Sequence, residues 1–265
     1  MPLATVARTA AVLGASGAVG TEVVRSLVDR GWDVIVLNRR PVDKFEGPAK
    51  VTQHVINMET ETELKESCEK VMSAAKASAL FITMGVGAPS KTKGQKGADI
   101  LEMVDVSLPS ACARGAKAAG VTHITILTAV GADSAAKPDK DDGIFNLFPM
   151  ARAGGPLYNN CKGRVENNIR ELGFPTLSTF RPAALLGTSN TPNAVAVIGR
   201  AVDFLLPVKY KCSEISVLAD AMVLDSEDKL RGKGGESKDF DIFEGEPLHS
   251  LYARSKTKTG AKSDL

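Results

Sequence analysis

Tyr158 and Lys162 are the residues of this chain whose types and spacing best fit chemistry on a carbonyl group. They stand four apart in a stretch, 158–172, that is predicted to be helical, so both side chains lie on one helix face. A tyrosine can protonate a carbonyl oxygen during hydride transfer if a nearby ammonium group lowers its pKa from about 10. Lowering that pKa by one takes about 1.4 kcal/mol of preferential phenolate stabilisation, which one partly buried lysine can supply. The spacing can arise by chance, but its position after the fifth predicted strand favours a catalytic role.

A glycine-rich turn near the start of the chain could bind the cofactor for such a hydride transfer. The apolar run 10–13 predicts a strand, three glycines follow at the spacing G-x-x-G-x-x-G, and 21–30 predicts a helix. Gly14 would make the tight turn, Gly17 would let a phosphate approach the backbone, and Gly20 would let the helix pack on the strand. Helix N–H groups would then point at a dinucleotide pyrophosphate. The expected contacts in this turn are Gly14, Ser16, Gly17, Ala18, Val19 and Gly20.

The end of the second predicted strand, 33–38, indicates which dinucleotide fits. An NAD site usually carries an acidic residue here for the ribose 2′-hydroxyl, whereas an NADP site uses arginine for the 2′-phosphate. This chain has Asn38, Arg39 and Arg40 and no carboxylate. The alternative is a solvated basic turn. We favour NADP(H) as the cofactor.

The rest of the chain alternates strands and helices, which predicts an α/β fold of the Rossmann type with a doubly wound parallel sheet. Further strands are predicted at 51–57, 79–84, 121–127, 177–181 and 239–244. Helices are predicted at 61–77, at 100–119 with a kink or a new start at Pro109, at 194–206, and from residue 247. Ligands of such sheets bind beyond the carboxyl ends of the strands.

Three of these strand ends add candidate cofactor contacts. Asn57 could hydrogen-bond the adenine amino group and Met58 could cover the ring, although a loop asparagine is as often only a turn former. Gly85, preceded by Met84, would let the backbone approach the ribose. Thr128 ends the fifth strand and would lie at the same edge of the sheet.

Composition sets limits on the class of protein. The 265 residues are 43% hydrophobic and 24% charged, which is ordinary for one globular domain, 1–265. A net charge of +2 gives no argument for nucleic acid or a membrane as partner. The four cysteines and three histidines are scattered, so neither a disulfide framework nor a metal site is expected. No signal-peptide pattern or membrane span is recognised, and we expect a cytoplasmic monomer or homodimer.

Two irregular stretches, about 134–157 and 187–225, are expected to form a small substrate-side lobe. Long loops in compact domains are usually functional or disordered. Phe145 and Phe148 either form part of a lid over the substrate or pack on the protein's own surface. The basic stretch 254–265 is expected to be a disordered tail.

Taken together, these motifs resemble the atypical short-chain dehydrogenase/reductase superfamily, in particular the branch of NmrA-like proteins and the Tat-interacting-protein oxidoreductase. The likeness covers about residues 9–252, and its carriers are the glycine turn, 38–40, Thr128 with 130–133, Tyr158 with Lys162, and 180–182. The resemblance implies that Tyr158 donates the proton, that Lys162 tunes it and holds the nicotinamide ribose, and that Thr128 binds the carbonyl oxygen. It also implies a cofactor contact at Pro182. Consecutive serines are usual in the family where this chain has Thr128-Ala129, and an Asp is more usual at Asn57.

Three functions follow from these observations. The first is an NADP(H)-dependent oxidoreductase that transfers hydride to or from a small carbonyl or alcohol substrate. The second is a regulatory or scaffold protein that binds NADP(H) as a redox signal and a protein partner, as the NmrA-like relatives imply. The third is an assembly factor without nucleotide affinity. The same fold hosts catalysts and binders, so the site has to decide among them.

Overall fold

The strands form one large parallel sheet, as the alternating pattern predicts. The computed structural model describes residues 8–45, 50–86, 94–137, 155–187, 206–232 and 240–260. The strands are β1 Thr9–Leu13, β2 Asp33–Asn38, β3 Val51–Val55, β4 Ala79–Ile82, β5 His123–Leu127, β6 Thr176–Phe180, β7 Leu185–Leu186, β8 Ser213–Glu214 and β9 Phe240–Phe243. Seven of them pair in parallel in the order β3-β2-β1-β4-β5-β6-β9, and β7 pairs with β8 separately.

Helices cover both faces of this sheet and bury its apolar strands. They are α1 Ala18–Asp29, α2 Glu61–Ala74, α3 Gly94–Glu102, α4 Leu108–Ala118, α5 Gly155–Glu171, α6 Ile215–Leu230 and α7 Glu246–Gly260. One apolar core lies between the sheet and α1, α6 and α7, and the second lies under α2, α4 and α5. Burial on both faces explains why β1, β2 and β4 read as continuous apolar runs.

The sheet has a switch point between β1 and β4. The chain winds outward from β1 to β2 and β3, and then returns to place β4 on the other side of β1. Ligands of doubly wound sheets bind in the crevice that forms there, outside the carboxyl ends of the strands. The predicted Rossmann-type fold is confirmed, and it brings the glycine turn after β1 next to the end of β4.

The long helix predicted at 100–119 is divided by a π-helical turn. This turn covers Met103–Ser107 and separates α3 from α4, which has Pro109 in its first turn. Proline has no N–H for the i→i−4 hydrogen bond, so a regular helix ends before it. The expected interruption at Pro109 is therefore present, and the π turn is the form that it takes.

The disordered tail expected from residue 254 is wrong for its first seven residues. The structure continues α7 to Gly260, because Arg254 pairs with Asp228 at 2.7 Å and Ser255 is buried with its hydroxyl donating to the Tyr252 carbonyl. Residues 261–265, the helix predicted at 194–206, and the candidate lid residues Phe145 and Phe148 lie outside the described residues. Within the described ranges, no helix has the length and apolarity to cross a membrane, and no group of side chains suits a metal ion.

Candidate functional site

At two of its glycines, the glycine turn packs β1, α1 and the end of β4 together too closely for a side chain. Gly14 has φ +87°, and a Cβ there would lie 2.6 Å from the backbone nitrogen of Met84, just after β4. A Cβ on Gly20 would overlap the carbonyl oxygen of Gly14 and lie 2.7 Å from the Thr83 hydroxyl. The roles that the sequence suggests for these two glycines, tight turn and helix packing, agree with this geometry.

The N-terminus of α1 is built to face an anion. Gly17 caps the helix in an extended conformation without a side-chain hydrogen bond, and its N–H donates to the Gly14 carbonyl at 3.0 Å. Ser16, Gly17 and Ala18 are exposed, and the first turn contains no acidic residue. The first N–H groups of the helix and its positive dipole end are thus presented to the crevice, as a pyrophosphate requires.

A cavity of about 260 Å³ lies beside this turn. Six of the predicted cofactor residues line it, together with four that sequence reasoning missed. The predicted ones are Gly14, Ser16, Asn38, Arg39, Met58 and Met84, and the additional ones are Leu37, Met103, Val104 and Leu108. A wall of mostly apolar and thioether side chains with a few polar groups fits an adenosine moiety. Arg40 and Asn57 are not among the residues of the cavity wall.

The turn that carries the two arginines is held by Gln53 of β3. Its amide accepts from the Val42 N–H at 3.0 Å and donates to the Val42 carbonyl at 3.1 Å. The buried Asn38 side chain donates to the same amide oxygen at 3.4 Å. These bonds fix the path of the chain after β2, while the side chain of Arg39 remains exposed at the cavity.

Asn57 forms a turn, which is one of the two roles, turn former or adenine contact, that its sequence position suggests. Its side-chain oxygen accepts a hydrogen bond from the Glu59 N–H at 2.9 Å, just before α2, and the residue is exposed. The neighbouring Met58 supplies the cavity wall instead. A contact between Asn57 and adenine stays a prediction.

Tyr158 and Lys162 lie on one face of α5, as predicted. The Lys162 Nζ is 5.5 Å from the centre of the Tyr158 ring, and the lysine is 4% exposed. Burial raises the pKa of Tyr158, and Asp105 adds to this, while Lys162 opposes it. The expectation from the sequence that Lys162 would lower the pKa of Tyr158 overall is therefore wrong. The effect of burial is larger than that of the lysine, and Asp105 acts in the same direction as burial.

Asp105, on the π turn, is the partner of Lys162 that sequence reasoning missed. Its Oδ1 lies 2.7 Å from the Lys162 Nζ, and its Oδ2 accepts from the Val86 N–H at 3.1 Å. Burial alone would lower the pKa of Lys162, but Tyr158 and Asp105 together raise it. One signal was available: Asp105 lies four residues after Leu101 and three before Leu108, on the apolar face of the predicted helix.

Gly85 adjoins this ion pair at the end of β4. A Cβ on Gly85 would lie 3.0 Å from the Asp105 Oδ1 and 3.3 Å from the Lys162 Nζ. The glycine therefore leaves room for the two charged groups near the same strand end as Met84, which lines the cavity. The predicted cofactor residues around β4 and the Tyr158–Lys162 pair are thus brought to one edge of the sheet.

Thr128 lies at the end of β5, and its hydroxyl proton already takes part in a hydrogen bond within the protein. The hydroxyl donates to the Glu166 Oε1 at 2.6 Å, and both residues are buried. Arg181 donates to both oxygens of the Glu166 carboxylate, to Oε1 at 3.0 Å, and pairs with Glu244 at 3.1 Å. The hydroxyl keeps only its acceptor lone pairs for a ligand.

The segment 130–133 docks α5 against the sheet. Asp133 donates its N–H to the Asn159 carbonyl at 3.0 Å, and a Cβ on Gly163 would overlap the backbone of Ser134. The Pro182 carbonyl accepts from the Val130 N–H at 3.0 Å. The motifs that carry the family resemblance at 130–133 and 180–182 thus bond to each other and hold the helix of Tyr158.

The sequence matches one family of known proteins and is similar to several individual proteins. Residues 14–201, well over half of the chain, match the model of a family described as NAD(P)H-binding. The chain is 27% identical over 190 residues to "Protein FMP52, mitochondrial" of Debaryomyces hansenii, covering 71% of each chain. It is 28% identical over 179 residues to Protein HTATIP2 of Rattus norvegicus, covering 66% of this chain and 62% of that one.

Solved structures share the fold at lower identity. The UDP-glucose 4-epimerase of Thermotoga maritima, solved with UDP-glucose, has a TM-score of 0.60 at 16% identity and covers 95% of this chain and 82% of its own. The Bordetella bronchiseptica enzyme WbmH in complex with NAD+ has a TM-score of 0.59 at 14% identity, and the match covers 89% of this chain and 75% of WbmH. At these identities the likeness shows the fold alone.

Proposed function

The chain belongs to the NAD(P)H-binding family, and we propose that it is an NADP(H)-dependent oxidoreductase acting on a small carbonyl or alcohol. The observation that carries this proposal is the position of Lys162. Its Nζ lies beside the Tyr158 ring and close to Gly85, next to the strand end whose Met84 lines the nucleotide cavity. A proton donor and a cofactor held at one strand edge are the two requirements of hydride transfer to a carbonyl.

The glycine turn, the cavity and the open α1 N-terminus fit a dinucleotide, which when bound supplies the hydride. Tyr158 supplies the proton: its O–H bond breaks as the carbonyl oxygen gains the proton, and the phenolate then takes a proton from water. Because burial raises the pKa of Tyr158, the phenol is its resting form at neutral pH, which suits reduction of a carbonyl. Thr128 would orient the substrate by accepting a hydrogen bond.

The preference for NADP(H) rests on Arg39. This guanidinium lies on the cavity wall, and Asn38 stands where NAD-selective sites carry a carboxylate. An arginine at this place can bind a 2′-phosphate through charge-assisted hydrogen bonds. Residues 38–40, at the end of β2, contain no carboxylate that could select the ribose 2′-hydroxyl of NAD(H).

Tyr158→Phe tests the catalytic part of the proposal. NADPH oxidation is followed with a panel of aldehydes, ketones and quinones, and the variant should lose roughly 10²- to 10⁴-fold in kcat/KM while its calorimetric affinity for NADPH is unchanged. Tyr210→Phe, on the short helix Val208–Tyr210, is the matched control and should keep full activity. Unchanged turnover in Tyr158→Phe would contradict catalysis by this tyrosine.

A redox-sensing regulatory or scaffold protein is the second candidate, and one observation favours it. Lys162 is already paired with Asp105, and the Thr128 hydroxyl is already donated to Glu166, so two of the three expected catalytic groups have protein partners. In cells that lack this protein, a sensor with Tyr158→Phe would restore the wild-type phenotype, whereas Gly17→Val would not. If neither variant restores the phenotype, and Tyr158→Phe also loses turnover, the oxidoreductase function is favoured over the sensor.

The compartment and the oligomeric state belong to the same proposal. We expect a cytoplasmic monomer or homodimer, although the names of two relatives, FMP52 and FMP52-1, include the word mitochondrial. A carboxyl-terminal fluorescent fusion of the full chain would separate the two compartments. Light scattering of the purified protein gives the number of subunits.

A further inference from the structure

Asp105 is a buried carboxylate for which the proposed reaction has no direct use. Asp105 is 0% exposed and lies in the π turn Met103–Ser107. Its ion pair with Lys162 connects this turn to α5. Single π-helical turns inside helices often occur at functional sites. The second oxygen of the carboxylate is held by the Val86 N–H at 3.1 Å, so the group is fixed from the end of β4 as well as from α5.

The charges around Lys162 decide how strongly it can act on Tyr158. The groups that face it are Asp105 from the π turn and Tyr158 and Glu166 from its own helix. Glu166 is already paired with Arg181, so its charge is balanced there. Lys162 and Asp105 then form a pair with no net charge, and the ring of Tyr158 faces that pair rather than a lone ammonium group.

A lone buried ammonium group and an ion pair have opposite consequences for a neighbouring phenol. The lone cation would stabilise the phenolate and so oppose the effect of burial. A carboxylate paired with that cation weakens this stabilisation and acts in the same direction as burial, which favours the neutral phenol. The carboxylate of Asp105 therefore adds to the effect of burial on Tyr158 and opposes that of Lys162.

We propose that Asp105 is a positioning residue that fixes Lys162 beside Tyr158 and weakens the stabilisation that this lysine gives to the Tyr158 phenolate. This inference rests on the function proposed above and extends it to the residue that sets the charge beside the proton donor. Asp105 touches no reacting atom: it holds Lys162 in place, and its negative charge also raises the pKa of Tyr158 directly.

Asp105→Asn tests this inference without any substrate. The amide keeps the size and an oxygen for the Val86 N–H, and it removes only the negative charge. The ionisation of Tyr158 is followed by the ultraviolet absorbance of tyrosinate, as the difference between each protein and the same protein carrying Tyr158→Phe. We expect Asp105→Asn to move this ionisation to lower pH by about one pH unit or more.

Glu102→Gln is the matched control. Glu102 also joins the segment before α4 to α5, through Arg164 at 2.6 Å, but this pair is largely exposed. The control should leave the ionisation of Tyr158 unchanged. If Asp105→Asn leaves it unchanged as well, or moves it to higher pH, the inference is overturned.

A second comparison covers the case in which Asp105→Asn does not fold because the buried lysine has lost its partner. Lys162→Met with Asp105→Asn removes both charges, and Tyr158 should ionise at lower pH in this protein than in Lys162→Met alone. Equal values overturn the inference. A shifted ionisation combined with unchanged turnover in Tyr158→Phe would uphold the role of Asp105 and reject the oxidoreductase function, so the two failures are distinguishable.

Discussion

Thr128 and Glu166 share one short hydrogen bond, 2.6 Å long, in which the threonine hydroxyl is the donor. The bond joins the end of β5 to the middle of α5, and Arg181 donates to both oxygens of the same carboxylate. Because the hydroxyl has a single proton, it cannot also donate to a substrate carbonyl. Tyr158 is then the proton donor of the proposed reaction, and Thr128 is a structural link that can accept a hydrogen bond.

Thr128→Val is therefore expected to affect stability more than proton transfer. Losing a hydrogen bond to a buried carboxylate should lower the free energy of unfolding by about 1.5–3 kcal/mol, measured by urea denaturation. Thr179→Val is the control, because within the described part of the chain the buried Thr179 hydroxyl has no hydrogen-bond partner. This control should be neutral or stabilising, and equal losses in both variants would contradict the assigned bond.

The glycine turn predicts a separation of folding from cofactor binding. Gly17→Ala places a methyl group where a phosphate would approach, but its Cβ is no closer than 3.3 Å to the Gly14 carbonyl oxygen. We expect near wild-type thermal stability and at least about tenfold weaker NADPH binding by calorimetry. Gly20→Ala, whose Cβ overlaps the same oxygen, should lower stability by about 2 kcal/mol or more and lose binding as well. Tight NADPH binding by Gly17→Ala would exclude this site for the pyrophosphate.

Arg39 and Arg40 are neighbours with different expected contributions to selectivity. Arg39 lines the cavity, whereas Arg40 is absent from its wall. Replacing Arg39 by Ala should weaken NADPH binding by about 1.5–3 kcal/mol, the value of a charge-assisted hydrogen bond, and leave NADH binding nearly unchanged. Arg40→Ala is the control with a smaller effect. A larger loss in Arg40→Ala, or equal losses for both cofactors, would reject Arg39 as the 2′-phosphate ligand.

His123 predicts an acid-sensitive step in stability. Its ring nitrogens lie 2.8 Å from the Thr176 hydroxyl and 2.9 Å from the Thr125 hydroxyl, and burial, with a smaller effect of Lys229, lowers its pKa to about 3 from the ordinary 6.5. The unfolded chain takes up this proton below about pH 6.5 and the folded protein only near pH 3. The stabilisation is complete above pH 6.5 and is lost by about 1.4 kcal/mol per pH unit as the pH falls.

The measurement compares urea unfolding at about pH 7 and pH 5. The wild type should lose about 2 kcal/mol more than His123→Gln over this interval, because only the wild type carries the buried imidazole. His54→Gln, on the edge strand β3, should follow the wild type. Parallel pH dependences of the wild type and His123→Gln would show that the folded protein takes up this proton as readily as the unfolded chain, which would contradict a lowered pKa of His123.

Local patterns were sufficient to predict the sheet and the turn that borders the cavity. β2 was predicted with its observed bounds, 33–38, because a strand buried on both faces leaves a continuous apolar run. The glycine spacing located the turn after β1. The rule for strand ends predicted that Gly14, Asn38, Asn57, Gly85 and Thr128 would gather at one edge, and Gly14 and Asn38 of this set line the cavity. The relationship to the short-chain dehydrogenase/reductase superfamily is confirmed by the family match and the relatives.

The electrostatics of the site could not be predicted in the same way. The pKa of Tyr158 depends on its burial and on Asp105, which is 53 residues away in sequence and reaches Lys162 only because a π turn interrupts a helix. The hydrogen bond from Thr128 to Glu166 likewise depends on how α5 docks on the sheet. Spacing identifies which side chains share a helix face, but it does not reveal which distant charge will neutralise them.

The π turn Met103–Ser107 contacts both the cavity and the Tyr158–Lys162 pair. Met103 and Val104 line the nucleotide cavity, and the next residue, Asp105, holds Lys162. A cofactor that fills the cavity would press on the same five-residue turn that anchors the lysine, so the catalytic side would reach its final arrangement only after the cofactor has bound. We therefore expect compulsory-order kinetics, with the dinucleotide binding first and leaving last.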